Sequence, residues 1–353
     1  FKHLELYNNS FINLILIMIK EISAENYLGI EIQEHELFDH EHLFVFEDDD
    51  KNFKAFIAIH STKEGPAIGG CRFKEYESEI HAIEDVLKLS KAMTLKNRVA
   101  GVPFGGGKAV IIKNKQNNKE HLELFATFIN HLDGAYLSAQ DIGISLTDIR
   151  IVSQLSEHVL DNVDPGPYTA KGIYYALRSV KDYYFNGNNE DILIQGFGSV
   201  GSNLASHLLD EGIKIYVDEA DEMKLNTAVK LGCHPCKSIF KTSASIFSPC
   251  AIGGILNKDF IKNSTFKVIC GGANNQLLSD NLYNAIHSHG MLYIPDFLVN
   301  AGGVIGLTKD VLERDHEMTD QALAKIGEVV KSIIDEFHIK NTIPLEFVKN
   351  RFL

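Results

Sequence analysis

The fold is decided by one stretch of the sequence, Ile192-Leu193-Ile194-Gln195-Gly196-Phe197-Gly198-Ser199-Val200-Gly201. A short apolar strand runs into three glycines with the spacing G-x-G-x-x-G, and a helical pattern follows from Ser202. Gly196 permits a tight turn, Gly198 lets the backbone approach a ligand, and Gly201 lets the helix pack closely on the strand. Free N–H groups at the start of this helix favour a bound phosphate. The stretch therefore predicts a dinucleotide-binding loop that includes Ser199 and Val200.

Two acidic residues end the next predicted strand, residues 213–217. Asp218 and Glu219 lie 22 and 23 residues after Gly196. A carboxylate at this spacing accepts hydrogen bonds from the adenosine ribose hydroxyls and repels a 2′-phosphate. We therefore predict NAD as the cofactor rather than NADP. Either acid could bind the ribose; Glu219 is preferred, and Asp218 is assigned a structural role.

Short apolar runs alternate with helical segments through the second half of the chain. The predicted strands are 192–194, 213–217, 267–270 and 291–294, and the predicted helices lie near 200–211, 220–231 and 277–289. Such alternation is typical of βαβ units that form a parallel sheet with right-handed crossovers. In the first half, apolar runs at 43–46 and 56–59 predict a hairpin, and helical spacing predicts an amphipathic helix over 78–95.

The composition is that of an ordinary globular protein, and it excludes several classes. A net charge of −13 argues against a nucleic-acid partner, which requires a basic surface. The apolar run at 11–19 is too short to span a membrane and lacks the features of a signal peptide, and Met18 could be the natural start. Five cysteines without a secretory pattern fit a cytoplasmic location. Cys233 and Cys236 form a lone CxxC, read as two incidental thiols rather than a redox or metal site, so we predict no metal.

A second informative stretch is Val102-Pro103-Phe104-Gly105-Gly106-Gly107-Lys108. Glycines can adopt positive φ and let a substrate approach closely, and the apolar run after Lys108 predicts a strand that fixes its direction. A lysine held there can be desolvated, and desolvation lowers the pKa of an ammonium toward the range of acid–base chemistry. The alternative is a flexible turn with a solvated lysine.

Four further motifs accompany this stretch, namely Gly65-Pro66-Ala67-Ile68-Gly69-Gly70-Cys71-Arg72, Lys96-Asn97, Ala139-Gln140-Asp141-Ile142-Gly143 and Pro295-Asp296-Phe297-Leu298-Val299-Asn300-Ala301-Gly302-Gly303. With the glycine-rich loop, they resemble the superfamily of glutamate, leucine, valine and phenylalanine dehydrogenases. The resemblance runs from about residue 40 to the C-terminus and is closest to the leucine branch. Two more matches to that branch are Pro249-Cys250-Ala251-Ile252-Gly253-Gly254 and Asn274-Asn275-Gln276-Leu277.

The resemblance implies a role for each site residue. Lys96 would bind the substrate α-carboxylate, Lys108 would activate the water that attacks the imine, and Asp141 would exchange protons with the amino group. Gly69 and Gly70 would line the substrate cleft, and Arg72 would be structural. The cofactor contacts would come from the glycine-rich loop and from Cys250, Ala251, Asn275, Asn300 and Thr169. A solvated Lys96, a turn role for Asp141 and a helix N-cap role for Thr169 are the structural alternatives.

The substrate implied is an apolar L-amino acid, converted reversibly to the 2-oxo acid and ammonia. Ile68 stands where glutamate enzymes of the superfamily carry a lysine, and Ala139 adds further apolar surface, so a buried second carboxylate would be unpaired. Leucine or another branched-chain amino acid is preferred, and an aromatic substrate such as phenylalanine or tryptophan is the alternative. The pocket would be completed from the C-terminal helix, among Val329, Val330, Ile333 and Ile334. A catalytically weak NAD-binding regulator is the alternative from a different class.

These assignments predict an α/β protein of two domains, because single cores stop growing at about 250–300 residues. An N-terminal catalytic domain, 1–168 with 1–33 as an extension, would be separated by the active-site cleft from a Rossmann-type NAD-binding domain, 169–318. Helices in 319–353 would pack back toward the cleft. The boundary follows the Pro/Gly-rich stretch 164–167 and a helix predicted over 169–183. By resemblance, the chain is expected to form a homo-oligomer.

Overall fold

The computed structural model describes residues 18–22, 39–114, 118–279, 281–340 and 342–352. The apolar run at 11–19 and the extension assigned to 1–33 lie outside this part of the chain, apart from residues 18–22. Among the described residues, no helix combines the length and apolar character needed to cross a membrane.

A seven-stranded mixed sheet forms the first half of the described chain. Its strands are β1 (Met18–Glu21), β2 (His42–Asp48), β3 (Phe53–Ser61), β4 (Ala67–Lys74), β5 (Gly105–Ile112), β6 (Tyr136–Gln140) and β7 (Val159–Leu160), in the order β1-β2-β3-β5-β4-β6-β7. The helices of this half are α1 (Glu79–Val99), α2 (Asn118–His131) and α3 (Leu146–Ser153). Buried apolar side chains place α1 on one face of the sheet and α2 and α3 on the other. The predicted hairpin is confirmed as β2 and β3, which pair antiparallel.

A six-stranded parallel sheet forms the second half. Its strands are β8 (Ile192–Gln195), β9 (Ile215–Asp218), β10 (His234–Pro235), β11 (Ile246–Pro249), β12 (Val268–Ile269) and β13 (Leu292–Tyr293), in the order β10-β9-β8-β11-β12-β13. The helices are α4 (Pro165–Ser179), α5 (Ser199–Asp210), α6 (Glu222–Leu231), α7 (Lys258–Asn263), α8 (Leu282–Ser288), α9 (Asp296–Val299), α10 (Gly302–Leu307), α11 (His316–Lys340) and α12 (Pro344–Phe352). The strand order reverses beside β8, and such a switch point opens a ligand crevice at the carboxyl ends of the strands.

The α/β class and the Rossmann-type sheet are confirmed, while three predicted boundaries are wrong. The helix predicted over 169–183 begins at Pro165, because the Asp164 side chain accepts a hydrogen bond from the Gly166 N–H and caps it there. The helix predicted from residue 277 begins at Leu282, because the backbone of residues 276–278 bonds to Leu256 instead. The helix predicted over 78–95 is confirmed but continues to Val99.

The last helices connect the two halves. Helix α11 packs on α4, and the following helix α12 packs on α1 of the first half. There the Arg98 guanidinium donates a hydrogen bond to the Phe352 carbonyl at 3.2 Å. The domain limits 1–168, 169–318 and 319–353 stay a prediction.

Candidate active site

The three glycines before Lys108 lie inside strand β5 rather than in a turn. All three have extended backbone, so the expectation that they provide positive φ is wrong. A Cβ on Gly105 would collide with the Ser61 carbonyl, and one on Gly106 would collide with Thr94 of helix α1. The glycines are therefore required for close packing. They let α1 and the neighbouring strands approach β5 closely.

Helix α1 is fastened to this strand by hydrogen bonds. The buried Asn97 amide donates to the Gly105 carbonyl at 2.6 Å. One turn earlier, the Thr94 hydroxyl bonds to the His60 ring at 2.7 Å, where the pairing of β3 with β5 has an irregularity. Because Lys96 lies between Thr94 and Asn97 on the helix, its backbone position relative to β5 is fixed from both sides.

Lys108 and Asp141 form a buried ion pair. Lys108 is 6% exposed, and its ammonium donates to the Asp141 carboxylate at the end of β6. The Arg72 guanidinium approaches the same carboxylate at 3.4 Å and donates to both oxygens of Asp85 at 2.9 Å. Burial would raise the pKa of Asp141, but Lys108 and Arg72 outweigh burial and hold this pKa below its usual value.

Asp141 also keeps the turn role that was its alternative. Its second carboxylate oxygen accepts the Ile142 N–H at 2.8 Å, and its carbonyl accepts the Ile144 N–H. The two roles are compatible, because one oxygen faces the turn and the other faces Lys108.

The pKa of Lys96 is lowered by its surroundings. Burial lowers its pKa to about 8, and the nearby charge of Lys108 acts in the same direction. The carboxylates of Asp296 and Asp141 oppose this shift. Asp296 begins helix α9, which packs against α1. Charged groups from both halves of the molecule therefore act on this one ammonium, and Lys96 is not simply a solvated lysine.

The apolar residues predicted to line the substrate pocket are buried beside these charges. Ile68 and Ala139 are 2% and 3% exposed, on the adjacent strands β4 and β6. Gly70 pairs with Ala139 and is partly exposed, whereas Gly69 is buried against the Gly107 carbonyl. The four candidates from the C-terminal helix belong to the same continuous apolar cluster as Ile68 and Ala139; they are Val329, Val330, Ile333 and Ile334.

The glycine-rich loop follows strand β8 as predicted. Gly196 has φ +94° and packs against Ala251, while Gly201 lies against the Gly196 carbonyl. Gly198 and Ser199 are exposed at the start of α5, and a Cβ on Gly198 would meet no atom within 4 Å. Val200, in the first turn of α5, is partly exposed. The open space at Gly198 leaves room for a ligand against the helix start.

Glu219 lies beside this loop. Its carboxylate accepts the N–H groups of Phe197 at 2.7 Å and Asp221 at 2.9 Å, and these bonds hold the pKa of Glu219 low although burial opposes them. Burial and the Glu219 charge raise the pKa of Asp218. Glu219 is therefore the acid whose carboxylate is hydrogen-bonded to the glycine-rich loop.

The remaining cofactor candidates line the carboxyl ends of the parallel strands. Cys250 and Ala251 follow β11, and Asn275 has φ +51° in the loop after β12. The buried Asn300 amide donates to the Asn274 side chain at 2.8 Å and to the Gly272 carbonyl at 3.3 Å. The Asn300 side-chain oxygen has no hydrogen-bond partner among the described residues.

The N-cap alternative for Thr169 is wrong. Asp164 caps helix α4, and Thr169 lies one turn inside it, with its hydroxyl donating to the Pro165 carbonyl at 2.9 Å. Its hydroxyl lies close to Gly303 of the motif that carries Asn300.

Sequence reasoning missed several residues that build the site. Asp164, Asp296, His60 and Thr94 received no role. An Asp before Pro is a recognisable helix-start pattern, so Asp164 could have been found. His60 gave no signal, because its contact depends on strand pairing. No group of His, Cys, Asp and Glu suited to a metal occurs in the described part of the chain, and the five cysteines are free.

Comparisons with known proteins show the family to which the chain belongs. Residues 40–159 match the family model "Glu/Leu/Phe/Val dehydrogenase, dimerisation domain", and residues 217–341 match "Glutamate/Leucine/Phenylalanine/Valine dehydrogenase". The chain is 35% identical to leucine dehydrogenase of Bacillus subtilis (strain 168) over 90% of this chain and 91% of that protein. It is 35% identical to L-tryptophan dehydrogenase of Nostoc punctiforme (strain ATCC 29133 / PCC 73102) over 84% and 87%, and 33% identical to phenylalanine dehydrogenase of Lysinibacillus sphaericus over 91% and 89%.

A solved structure, that of L-tryptophan dehydrogenase from Nostoc punctiforme, superposes with a TM-score of 0.79 at 31% identity, covering 89% of this chain and 95% of that one. Leucine, tryptophan and phenylalanine enzymes are thus similar to this chain to nearly the same degree. The chain belongs to the Glu/Leu/Phe/Val dehydrogenase family, whose members are amino-acid dehydrogenases that bind a nicotinamide cofactor.

Proposed function

We propose that the protein catalyses the NAD-dependent, reversible oxidative deamination of an apolar L-amino acid, with leucine or another branched-chain amino acid preferred. The observation that carries this proposal is the buried Lys108–Asp141 ion pair with Lys96 beside it. Lys96 lies near this ion pair without being part of it, so its ammonium can bind an anionic substrate. An α-amino acid supplies a carboxylate for that charge and an amino group for the acid–base pair.

The residues present fit a nicotinamide dinucleotide. The unpartnered Asn300 side-chain oxygen could accept a hydrogen bond from the nicotinamide amide, and the open space at Gly198 suits a pyrophosphate. Glu219, kept ionised beside the loop, would accept the ribose hydroxyls and repel a 2′-phosphate, which favours NAD over NADP. When bound, the cofactor supplies the acceptor for the hydride that leaves the substrate α-carbon.

The protein side chains would then handle protons and charge. Lys96 binds the α-carboxylate in its protonated form. Asp141 accepts a proton from the substrate amino group, and Lys108 directs a water to the imino carbon and stabilises the oxyanion that forms there. Because Lys108 and Asp141 already share a hydrogen bond, protons can pass between them without rearrangement.

The substrate side chain would lie against Ile68 and Ala139. Both are apolar and buried, so a second substrate carboxylate would find no partner there, at a cost of several kcal/mol. Glutamate is therefore disfavoured. An aromatic amino acid is the second candidate, supported by the 35% identity to a tryptophan dehydrogenase. One or two methylenes change selectivity by only ~1–3 kcal/mol, so pocket volume decides between these substrates.

The test is NADH formation with leucine, valine, phenylalanine, tryptophan and glutamate, measured at a series of pH values from neutral to alkaline. The expected order places leucine or valine first and glutamate last. Lys108→Ala should abolish turnover and leave NADH binding within about twofold, while Lys119→Ala, which removes an exposed lysine on α2, should change neither. No turnover of any amino acid by the folded wild type that still binds NADH would favour the regulator. The fastest turnover with an aromatic substrate would favour the second candidate.

We also propose that the protein assembles as a homo-oligomer, because residues 40–159 match a model described as a dimerisation domain. Light scattering coupled to size-exclusion chromatography tests this directly. A mass of 39.4 kDa, that of one chain, would contradict it.

A further inference from the structure

Asp164 forms a contact between the starts of two helices. One of its carboxylate oxygens accepts the Gly166 N–H at 2.8 Å, which caps α4. The other accepts the Ser199 hydroxyl at 2.9 Å, and Ser199 is the first residue of α5. Asp164 and Ser199 are both exposed to solvent. A Cβ on Gly166 would collide with the Ser199 hydroxyl, so the two helix starts can approach this closely only with glycine at that position.

This contact places a negative charge where a phosphate is expected. The first residues of α5 present unbonded N–H groups and the positive end of the helix dipole, which favour an anion. In the structure the anion next to them is the Asp164 carboxylate. The Ser199 hydroxyl, which could donate to a phosphate oxygen, is already engaged.

We propose that Asp164 competes with the cofactor pyrophosphate for the Ser199 hydroxyl, so that cofactor binding breaks the hydrogen bond that joins the start of α4 to the start of α5. The inference rests on the proposed NAD function. Its consequence is mechanical as well as electrostatic, because α4 carries Thr169 and packs on α11 and α10. Asp164 is thus a positioning residue that weakens phosphate binding in exchange for holding the two helices together in the free protein.

If Asp164 had only a structural role, it would do no more than cap α4. A substitution can separate this capping role from competition with the cofactor phosphate. Asn caps helices as well as Asp, so Asp164→Asn keeps the bond to the Gly166 N–H. Its amide nitrogen would face Ser199 as a donor, which frees the hydroxyl hydrogen for a phosphate and removes the negative charge. A matched control is Asp161→Asn. Asp161 also accepts a serine hydroxyl, that of Ser153 at 2.6 Å, and lies three residues earlier.

The experiment measures dissociation constants of NADH by fluorescence, and of ADP and adenosine by competition. Asp164→Asn should tighten NADH and ADP about two- to fivefold, as expected for removing one exposed like charge, and leave adenosine unchanged. The gain should shrink at high salt. Asp161→Asn should alter none of the three constants.

A second measurement uses Ser199→Ala in both backgrounds. Ser199→Ala should weaken NADH binding more in the Asp164→Asn background than in the wild-type background. In the wild type the Ser199 hydroxyl must first break its bond to the Asp164 carboxylate, so it contributes less to NADH affinity there. Unchanged or weaker ADP binding by Asp164→Asn, or an equal change for adenosine, would overturn the inference. Wild-type protein that binds NADH but oxidises no amino acid would refute the proposed function. The changes in the dissociation constants of NADH, ADP and adenosine would still test the role of Asp164.

Discussion

Replacing Asp141 with asparagine should destabilise the protein far more than replacing an exposed aspartate. The side chains of Lys108 and Asp141 are only 7% and 18% exposed, so the change leaves a buried ammonium without its carboxylate. Breaking one partner of a buried pair costs about 3–5 kcal/mol. The partial exposure of Asp141 puts our expectation at the lower end, about 3 kcal/mol of unfolding free energy at pH 7.

The matched control is Asp39→Asn. Asp39 pairs with Lys91 at 3.1 Å and with the His60 ring at 3.3 Å but is 56% exposed, and exposed pairs contribute up to about 1 kcal/mol. Urea unfolding of both variants gives the loss of unfolding free energy for each, and the comparison requires m-values equal to that of the wild type. The double variant Lys108→Met with Asp141→Asn should recover part of the loss, because no unpaired charge remains buried.

The loss of unfolding free energy caused by Asp141→Asn should also depend on pH. The folded-state pKa of Asp141 lies below its unfolded value, so its contribution is fully present above about pH 4 and is lost as the pH falls through the folded pKa. The stabilities of wild type and Asp141→Asn should therefore converge in acid. The reasoning is refuted if Asp141→Asn costs no more than Asp39→Asn at pH 7.

Three further outcomes follow from the geometry. Because the pKa of Lys96 is about 8, the affinity of the NADH complex for a 2-oxo acid should fall as the pH rises through 8. Lys96→Gln should bind the 2-oxo acid weakly at every pH. A wild-type affinity that does not change with pH would contradict this prediction. Gly106→Ala forces α1 away from β5 and should lower kcat/KM by about tenfold or more. Urea unfolding should show a loss of about 1–3 kcal/mol of unfolding free energy. Near-wild-type kinetics would show that the position of Lys96 does not depend on this packing. Glu219→Gln should reduce the ratio of kcat/KM for NAD to that for NADP; an unchanged ratio points to Asp218 or another residue.

The parts of the fold that depend on local pattern were predictable. The G-x-G-x-x-G loop between β8 and α5 was predictable because its three glycines and the ends of the strand and helix that they join lie within about ten residues of sequence. Strand β11 was not predicted, although it is a central strand of the second sheet. It has only four residues and ends in Ser248 and Pro249, so its strand character depends on its neighbours β8 and β12 rather than on its own residues.

The chemistry of the site was predictable only in part for the same reason. The sequence assigned Lys96, Lys108 and Asp141 through resemblance, but their contacts depend on how α1, β5 and β6 pack. The glycines before Lys108 were predicted to allow positive φ, with a flexible turn as the alternative, whereas they are extended and sterically required. An isolated Gly-Gly-Gly motif cannot distinguish these two uses, because the colliding atoms of Ser61 and Thr94 are distant in sequence.

The charge on Lys96 depends on both halves of the protein. Lys108 and Asp141 act on it from the first sheet, and their effects on the pKa of Lys96 are opposed because their charges have opposite sign. Asp296 acts from the second half, where its carboxylate accepts the N–H groups of Gln276 and Phe297. Those bonds attach Asp296 to the segment that includes Asn275, a cofactor candidate. The electrostatic surroundings of Lys96 therefore depend on how the segment that includes Asn275 holds Asp296 next to the first half of the molecule.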